Sequence, residues 1–159
     1  MLAPIKPHAA PRASYDRSVT SLNLPMPSLR GIHETVLYGR DTPALAAFYS
    51  GVLGLRLVGV MDAHSAAMRL PEGDAVLLLF DFEYAATPGR GVPTHGTTGP
   101  SHVAFRVVAG TLDQWRESIT ASGVTIELER GWSRGGRSIY FRDPADNSVE
   151  LIDGEVWAE

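Results

Sequence analysis

Alternating apolar and polar residues, followed each time by a stretch with helical spacing, form the main pattern of this chain. From position 32 to 38 apolar and polar side chains alternate, which predicts a strand. Thr42 and Pro43 then provide a helix N-cap and first helical position, and apolar residues recur with helical spacing up to Gly54. A glycine there is typical of a helix C-cap. The pattern therefore predicts a strand followed by a helix that ends at residue 53.

Three further strands are predicted after this helix. They cover residues 55–61, 64–70 and 75–82, with the turn PEGD at 71–74 between the last two. The same order returns later in the chain. A strand over 101–108 precedes a helix that Thr111 opens and Gly123 closes, and strands over 124–129, around Tyr140 and around Glu150 follow.

The two halves can be superimposed by simple shifts in residue number. A shift of 69 places His33 on His102 and Gly54 on Gly123, and a shift of 72 places Leu78 on Glu150. Each unit has about fifty residues, which is too few to bury a curved sheet alone. The predicted fold class is therefore α+β, with two repeated βαβββ modules that form a curved mixed sheet around a shared metal-binding cavity.

Composition changes at three points and sets the predicted boundaries. Residues 1–30 contain five prolines without apolar periodicity and are interpreted as an N-terminal arm. The first module covers 31–86, a linker rich in Gly, Pro and Thr covers 87–100, and the second module with a short tail covers 101–159.

Charge and cysteine content narrow the classes of function. The chain has 159 residues, a formal net charge of -4 and no cysteine. A weakly acidic chain has no general attraction for nucleic acid or anionic membranes, so a small-molecule substrate is expected. Thiolate ligands and disulfides are excluded, so a metal would be bound by His and carboxylate. No apolar run resembles a signal peptide or a membrane span, and a cytoplasmic location is the expectation.

Residues related by the repeat face one another across a pseudo-twofold axis, and this relation points to a metal site. Glu150 lies between Val149 and Leu151 on a predicted strand, so its side chain points to the opposite face and needs a cationic partner. His33, His102 and Glu150, with the apolar Leu78 in the fourth position, form a facial triad. This ligand set favours Fe(II), and Mn, Zn, Ni or Co would fit the same ligands.

Other side chains are candidates for substrate contacts or proton transfer. Arg134 and Arg137 flank two glycines and could bind an anionic group, with a solvated turn as the alternative. His64 could act as a general base, or simply begin a strand. Trp132 could stack on a substrate ring, or only pack.

The candidate metal ligands and Tyr140 lie in three segments: GIHETVLYGRDTPALAAFYSGVLGLRLV, GPSHVAFRV and YFRDPADNSVEL. These segments resemble the vicinal oxygen chelate superfamily, which includes glyoxalase I, fosfomycin resistance proteins, extradiol dioxygenases and bleomycin resistance proteins. The resemblance implies paired βαβββ modules, a divalent metal bound by His33, His102 and Glu150, and a homodimer. It also implies that Tyr140, which precedes Asp143 and Pro144, assists substrate deprotonation.

Departures from the family patterns leave several reactions open. Leu78 stands where glyoxalase I usually has its fourth protein ligand, a glutamate, and no counterpart is evident for the potassium-binding loop of fosfomycin resistance proteins. A histidine that extradiol dioxygenases carry before the tyrosine is also absent. Extradiol dioxygenase-like ring cleavage is the leading prediction. The alternatives are a glyoxalase-like lyase or isomerase, and a drug-binding protein similar to bleomycin resistance proteins.

Overall fold

The computed structural model describes residues 27–59 and 61–157. The arm predicted over residues 1–30 lies almost wholly outside this range, and residues 27–31 are exposed coil. The chain divides into Met1–Gly31 and a second unit, Ile32–Glu159. All the elements below belong to the second unit.

The first module is a four-stranded mixed sheet with one long helix. Its elements are β1 (Glu34–Tyr38), α1 (Thr42–Leu53), β2 (Arg56–Leu57), β3 (Ser65–Arg69) and β4 (Val76–Phe80). The strand order is β1-β4-β3-β2, with β1 parallel to β4 and the other pairs antiparallel. A short helix, α2 (Phe82–Ala85), follows where the sequence pattern predicts the end of a strand.

The second module repeats this topology. Its elements are β5 (His102–Arg106), α3 (Leu112–Ala121), β6 (Leu128–Gly131), β7 (Arg137–Arg142) and β8 (Ser148–Asp153). The order is β5-β8-β7-β6, again with a parallel pair followed by antiparallel pairs. The predicted pair of βαβββ modules is thus confirmed. Among the described residues, however, no strand pairing joins the two sheets.

Helix α1 joins the two modules through the hydrophobic core. Its buried Leu45, Tyr49 and Leu53 belong to the same core cluster as residues of both sheets. The Tyr49 ring lies 6.5 Å from that of Phe105 in β5, and the neighbouring Phe48 ring lies 6.3 Å from Phe141 in β7. The face of each sheet that packs on helices is called the helix side below, and the opposite face is called the open face.

A buried polar cluster, Asp143 and Asn147, also links the modules. Asn147 is fully buried, accepts from the Ser101 amide at 2.8 Å and donates to the Tyr38 carbonyl at 3.2 Å and to Asp143 at 2.9 Å. Asp143 further accepts from the hydroxyl of Tyr49 at 2.9 Å. Burial, followed by the charge of Asp143, raises the pKa of Tyr49 and keeps its hydroxyl protonated.

The strand register corrects the sequence alignment of the two modules. Glu34 pairs with Val76 in β4, and His102 pairs with Ser148 in β8. Since Val76 and Ser148 are related by the shift of 72, the structural counterpart of His102 is Glu34, at a shift of 68. The alignment of His33 with His102 is therefore one residue out.

Loops that differ by two residues explain this difference, because the second helix is one residue shorter from its N-cap to its closing glycine and so reduces the net offset to one. Residues 39–40 connect β1 to the helix N-cap Asp41, whereas residues 107–110 connect β5 to the N-cap Thr111. A shift chosen to match the helix ends at Gly54 and Gly123 therefore misplaces the strands. A slip of one residue also moves every side chain to the other face of the sheet.

Candidate metal centre

Two side chains meet on the open face of the second sheet. Val149 and Leu151 of β8 are buried on the helix side, so Glu150 between them points to the open face. His102 lies on the neighbouring strand β5, two residues before the register partner of Glu150. Its Nε2 atom is 3.3 Å from Oε2 of Glu150, which brings together two of the three predicted metal ligands.

Glu150 is the more buried of the two side chains. Its side chain is 7% exposed, whereas that of His102 is 51% exposed. Tyr140 lies directly opposite Glu150 on β7 and donates its hydroxyl hydrogen to Oε1 at 2.8 Å. Burial and the hydrogen bond to Glu150 raise the pKa of Tyr140, so its hydroxyl keeps its proton at neutral pH.

The contact of His102 Nδ1 determines whether its Nε2 atom can donate an electron pair. Nδ1 lies 3.1 Å from the Ser148 carbonyl oxygen, which can only accept a hydrogen bond, so Nδ1 is assigned the proton. In the neutral ring Nε2 then presents a lone pair to the carboxylate of Glu150. Two electron-pair donors at this distance need a proton or a cation between them. An imidazole oriented by a backbone carbonyl is also a typical metal ligand, so this donor pair fits a divalent ion.

The described residues of one chain do not bring a third ligand to this pair. Across residues 27–59 and 61–157, no three His, Asp or Glu side chains come close enough together to hold a metal ion. His33 precedes β1 in the first module and is exposed. Leu78 occupies the position in β4 that Glu150 has in β8, since it pairs with Val36 as Glu150 pairs with Ala104.

Trp132 and two neighbours extend the open face beside Tyr140. The indole Nε1 of Trp132 donates to Oγ of Ser138 at 2.7 Å, and Ser138 is on the same face as Tyr140. Arg130 pairs with Ser138 in the β6–β7 ladder, and its guanidinium lies 4.3 Å from the ring centre of Trp132. Arg130 is not among the predicted site residues. The alternation of side chains along β6 and β7 is the signal that could have identified it.

The other cationic candidates lie elsewhere. Arg137 is on the helix side of β7 with Ile139 and Phe141, and it forms two hydrogen bonds, at 3.0 and 3.2 Å, with Asp113 of α3. This ion pair raises the pKa of Arg137. Arg134 is exposed in the preceding turn. Neither arginine therefore contacts Glu150.

His64 is positioned by the first module. Its ring stacks on Tyr84 of α2, with ring centres 4.8 Å apart, and its amide donates to Asp62 at 2.8 Å. Among the described residues it forms no hydrogen bond or ion pair with His102 or Glu150. The structure thus keeps the predicted general base apart from the candidate metal ligands within one chain.

The fold and the donor pair define a two-module protein with potential metal ligands on an open sheet face. The family model described as the glyoxalase/bleomycin resistance protein/dioxygenase superfamily matches residues 31–151, and the chain belongs to this superfamily. No helix in the described parts of the chain is long and apolar enough to cross a membrane.

Individual relatives have different activities. The chain is 26% identical over 132 residues to the putative ring-cleaving dioxygenase MhqE of Bacillus subtilis, covering 77% of this chain and 41% of that protein. It is 40% identical over 57 residues to the fosfomycin resistance protein FosX of Listeria monocytogenes, covering 35% of this chain and 43% of that protein. The chain thus spans less than half the length of these curated relatives.

Solved structures agree with the fold. A lactoylglutathione lyase from Agrobacterium tumefaciens has a TM-score of 0.77 and 33% identity, over 82% of this chain and 98% of that one. A FosX from Listeria monocytogenes, complexed with Mn(II) and 1S,2S-dihydroxypropylphosphonic acid, has a TM-score of 0.59 and 21% identity, over 80% and 93% of the two chains. The second similarity concerns the fold alone.

Proposed function

We propose that this protein is a metal-dependent enzyme that chelates two neighbouring oxygen atoms of a small substrate, with ring cleavage of a catechol-like compound as its reaction. The observation that carries the proposal is the approach of His102 Nε2 to Glu150 Oε2 at 3.3 Å, with the other imidazole nitrogen at a carbonyl. A divalent ion there would act as a Lewis acid that stabilises negative charge on the substrate oxygens.

Tyr140 is the proposed proton carrier. Its hydroxyl is held 2.8 Å from Glu150, next to the space that a chelated substrate would enter. The raised pKa keeps this phenol protonated at neutral pH, and it can pass the proton to a substrate oxygen on which negative charge develops and recover it later. Arg130, stacked on Trp132 on the same open face, would attract an anionic substrate group.

A second copy of the chain is proposed to complete the site. Each copy has one open face per module, and its two sheets remain separate. Leu128 is 52% exposed on the open face of the second module, where it pairs with Tyr140, and contact with another sheet would cover it. In a twofold dimer the first module of each copy would face His102 and Glu150 of the other, which gives two identical sites.

A second candidate reaction is a glyoxalase-like isomerisation. It is favoured by the 33% identity with the lactoylglutathione lyase across nearly the whole of that structure. The same metal ligands and Tyr140 would then move a proton between neighbouring carbons without oxygen. Leu78, in place of a fourth ligand with a carboxylate, is the feature that favours ring cleavage over this reaction.

An assay can separate these functions. Protein loaded with Fe(II) or Mn(II) is expected to consume oxygen with catechols, and the His102→Gln variant should not. Turnover of a hemithioacetal without oxygen uptake would support the isomerase instead. A protein that catalyses neither reaction, and whose affinity for a drug-like ligand is the same with and without a metal chelator, would contradict catalysis. That result would support a binding protein.

Replacing Tyr140 by phenylalanine should reduce kcat by about 100-fold to 10,000-fold, the usual contribution of a positioned proton donor. Metal affinity should fall by no more than about 10-fold to 100-fold, the cost of losing a hydrogen-bond partner of a ligand, so metal content at saturating metal should not change. Steady-state kinetics together with elemental analysis would measure both effects. An unchanged kcat would remove Tyr140 from the proposed chemistry.

A further inference from the structure

We infer that Glu34, and not His33, is the residue that the first module contributes to the metal site. This inference rests on the proposed function and specifies its third ligand. The strand register carries it: Glu34 occupies in β1 the place that His102 occupies in β5. The resulting ligand set is one imidazole and two carboxylates.

The faces of β1 support this assignment. Leu37 is 1% exposed and belongs to the helix-packed core, together with Leu77 and Leu79 of β4. Residues at odd positions of β1 therefore face the helix side, and Glu34 and Val36 face the open side. The Val76 amide donates to the His33 carbonyl at 3.0 Å, so the strand-like backbone extends to His33. Continued alternation directs the His33 side chain away from the open face.

The relation of Glu34 to its neighbours repeats that of His102. His102 lies two residues before Ala104, which pairs with Glu150. Glu34 lies two residues before Val36, which pairs with Leu78. A carboxylate at Glu34 would therefore project beside Leu78 as the imidazole of His102 projects beside Glu150. In a twofold dimer, Glu34 and Leu78 of one copy would face His102 and Glu150 of the other.

Glu34 lies at an end of the open face of the first module that is exposed among the described residues. At the other end the linker covers the sheet, since Nδ1 of His95 is 2.7 Å from the Tyr38 hydroxyl and its ring packs on Phe80. Glu34 is exposed and forms no ion pair or side-chain hydrogen bond with another described residue. Its carboxylate is thus available to a second copy of the chain.

This assignment changes the expected metal. Two imidazoles and one carboxylate suit Fe(II) or Zn, whereas additional carboxylate oxygens favour harder ions such as Mn²⁺. Two carboxylates also neutralise the charge of a divalent ion completely. We therefore expect the site to accept Mn²⁺ as well as Fe(II).

Calorimetric titration of the full-length protein with Mn²⁺ tests the assignment. Glu34→Gln should weaken Mn²⁺ binding by more than about 100-fold, because loss of an outer-shell partner alone costs 10-fold to 100-fold. The neighbouring His33→Gln is the matched control and should leave the affinity unchanged. His102→Gln, which removes a ligand of the second module, should also abolish binding.

The possible results distinguish this inference from the proposed function. Loss of binding in His33→Gln with normal binding in Glu34→Gln would overturn the inference and leave the metal site in place. Normal binding in both, with loss only in His102→Gln, would also overturn it. If His102→Gln itself binds normally, the proposed function fails, and the inference with it.

Pulsed electron paramagnetic resonance of the Mn²⁺-loaded protein gives an independent count of imidazole ligands. A single coordinated imidazole is expected in the natural protein, and Glu34→His should add a second. Two coordinated imidazoles in the natural protein would contradict the assignment of Glu34.

Discussion

Replacing Glu150 by glutamine is expected to weaken divalent metal binding by more than about 100-fold, because the variant removes a charged ligand and not merely a group that orients one. The amide keeps nearly the same shape, and its oxygen can still accept the hydrogen bond from Tyr140. The change therefore tests the charge at this position with little disturbance of packing.

Thermal unfolding with and without metal should separate this loss from a loss of stability. Metal at 100 times its Kd stabilises the natural protein by about 2.7 kcal/mol, and this gain should disappear in Glu150→Gln. Without metal the variant should be at least as stable as the natural protein, because an almost fully buried carboxylate is replaced by a neutral group.

The matched control is Glu155→Gln. Glu155 is an exposed glutamate paired with Arg106 at 3.1 Å, and its loss should change neither metal binding nor stability by more than about 1 kcal/mol. A Glu150→Gln variant that retained full metal-induced stabilisation would show that this carboxylate is not a ligand.

The second large effect is expected at Asn147. Replacing it by alanine leaves the Ser101 amide and the Tyr38 carbonyl, both half-buried, without a side-chain partner. It also removes one of the hydrogen bonds to the buried Asp143 carboxylate, which keeps the bond from Tyr49. Each unsatisfied buried group costs about 1–3 kcal/mol, so the variant should lose about 3 kcal/mol or more of unfolding free energy. Urea denaturation, with midpoint and slope both measured, would determine the loss.

Tyr49→Phe provides a graded control for this cluster. It removes one hydrogen bond to Asp143 and leaves the other contacts intact, so a loss of about 1–2 kcal/mol is expected. A loss in Asn147→Ala no larger than that in Tyr49→Phe would show that the cluster does not connect the modules as described.

Much of the fold follows from local patterns in the sequence. Alternation predicts the strands, and the glycine that ends α1 has the left-handed conformation expected of a C-cap, with φ of 70° at Gly54. The open-face position of Glu150 follows from its two apolar neighbours alone. These features depend on a few adjacent residues, so a single sequence is sufficient to predict them.

Features that depend on loop length or tertiary packing could not be predicted. The offset between β1 and β5 arises from two loops of different length, and the helix ends give no information about it. The helix-side position of Arg137 follows from alternation, but its ion pair with Asp113 of α3 depends on the packing of residues that are distant in sequence. Likewise, Tyr84 contacts His64 only because the unpredicted helix α2 follows β4.

Elemental analysis of protein purified without added metal tests the central claim most directly. The natural protein should contain a divalent ion in proportion to its chain concentration, and the double variant His102→Gln, Glu150→Gln should contain none. Full metal occupancy in the double variant would contradict a site built on the open face of the second sheet.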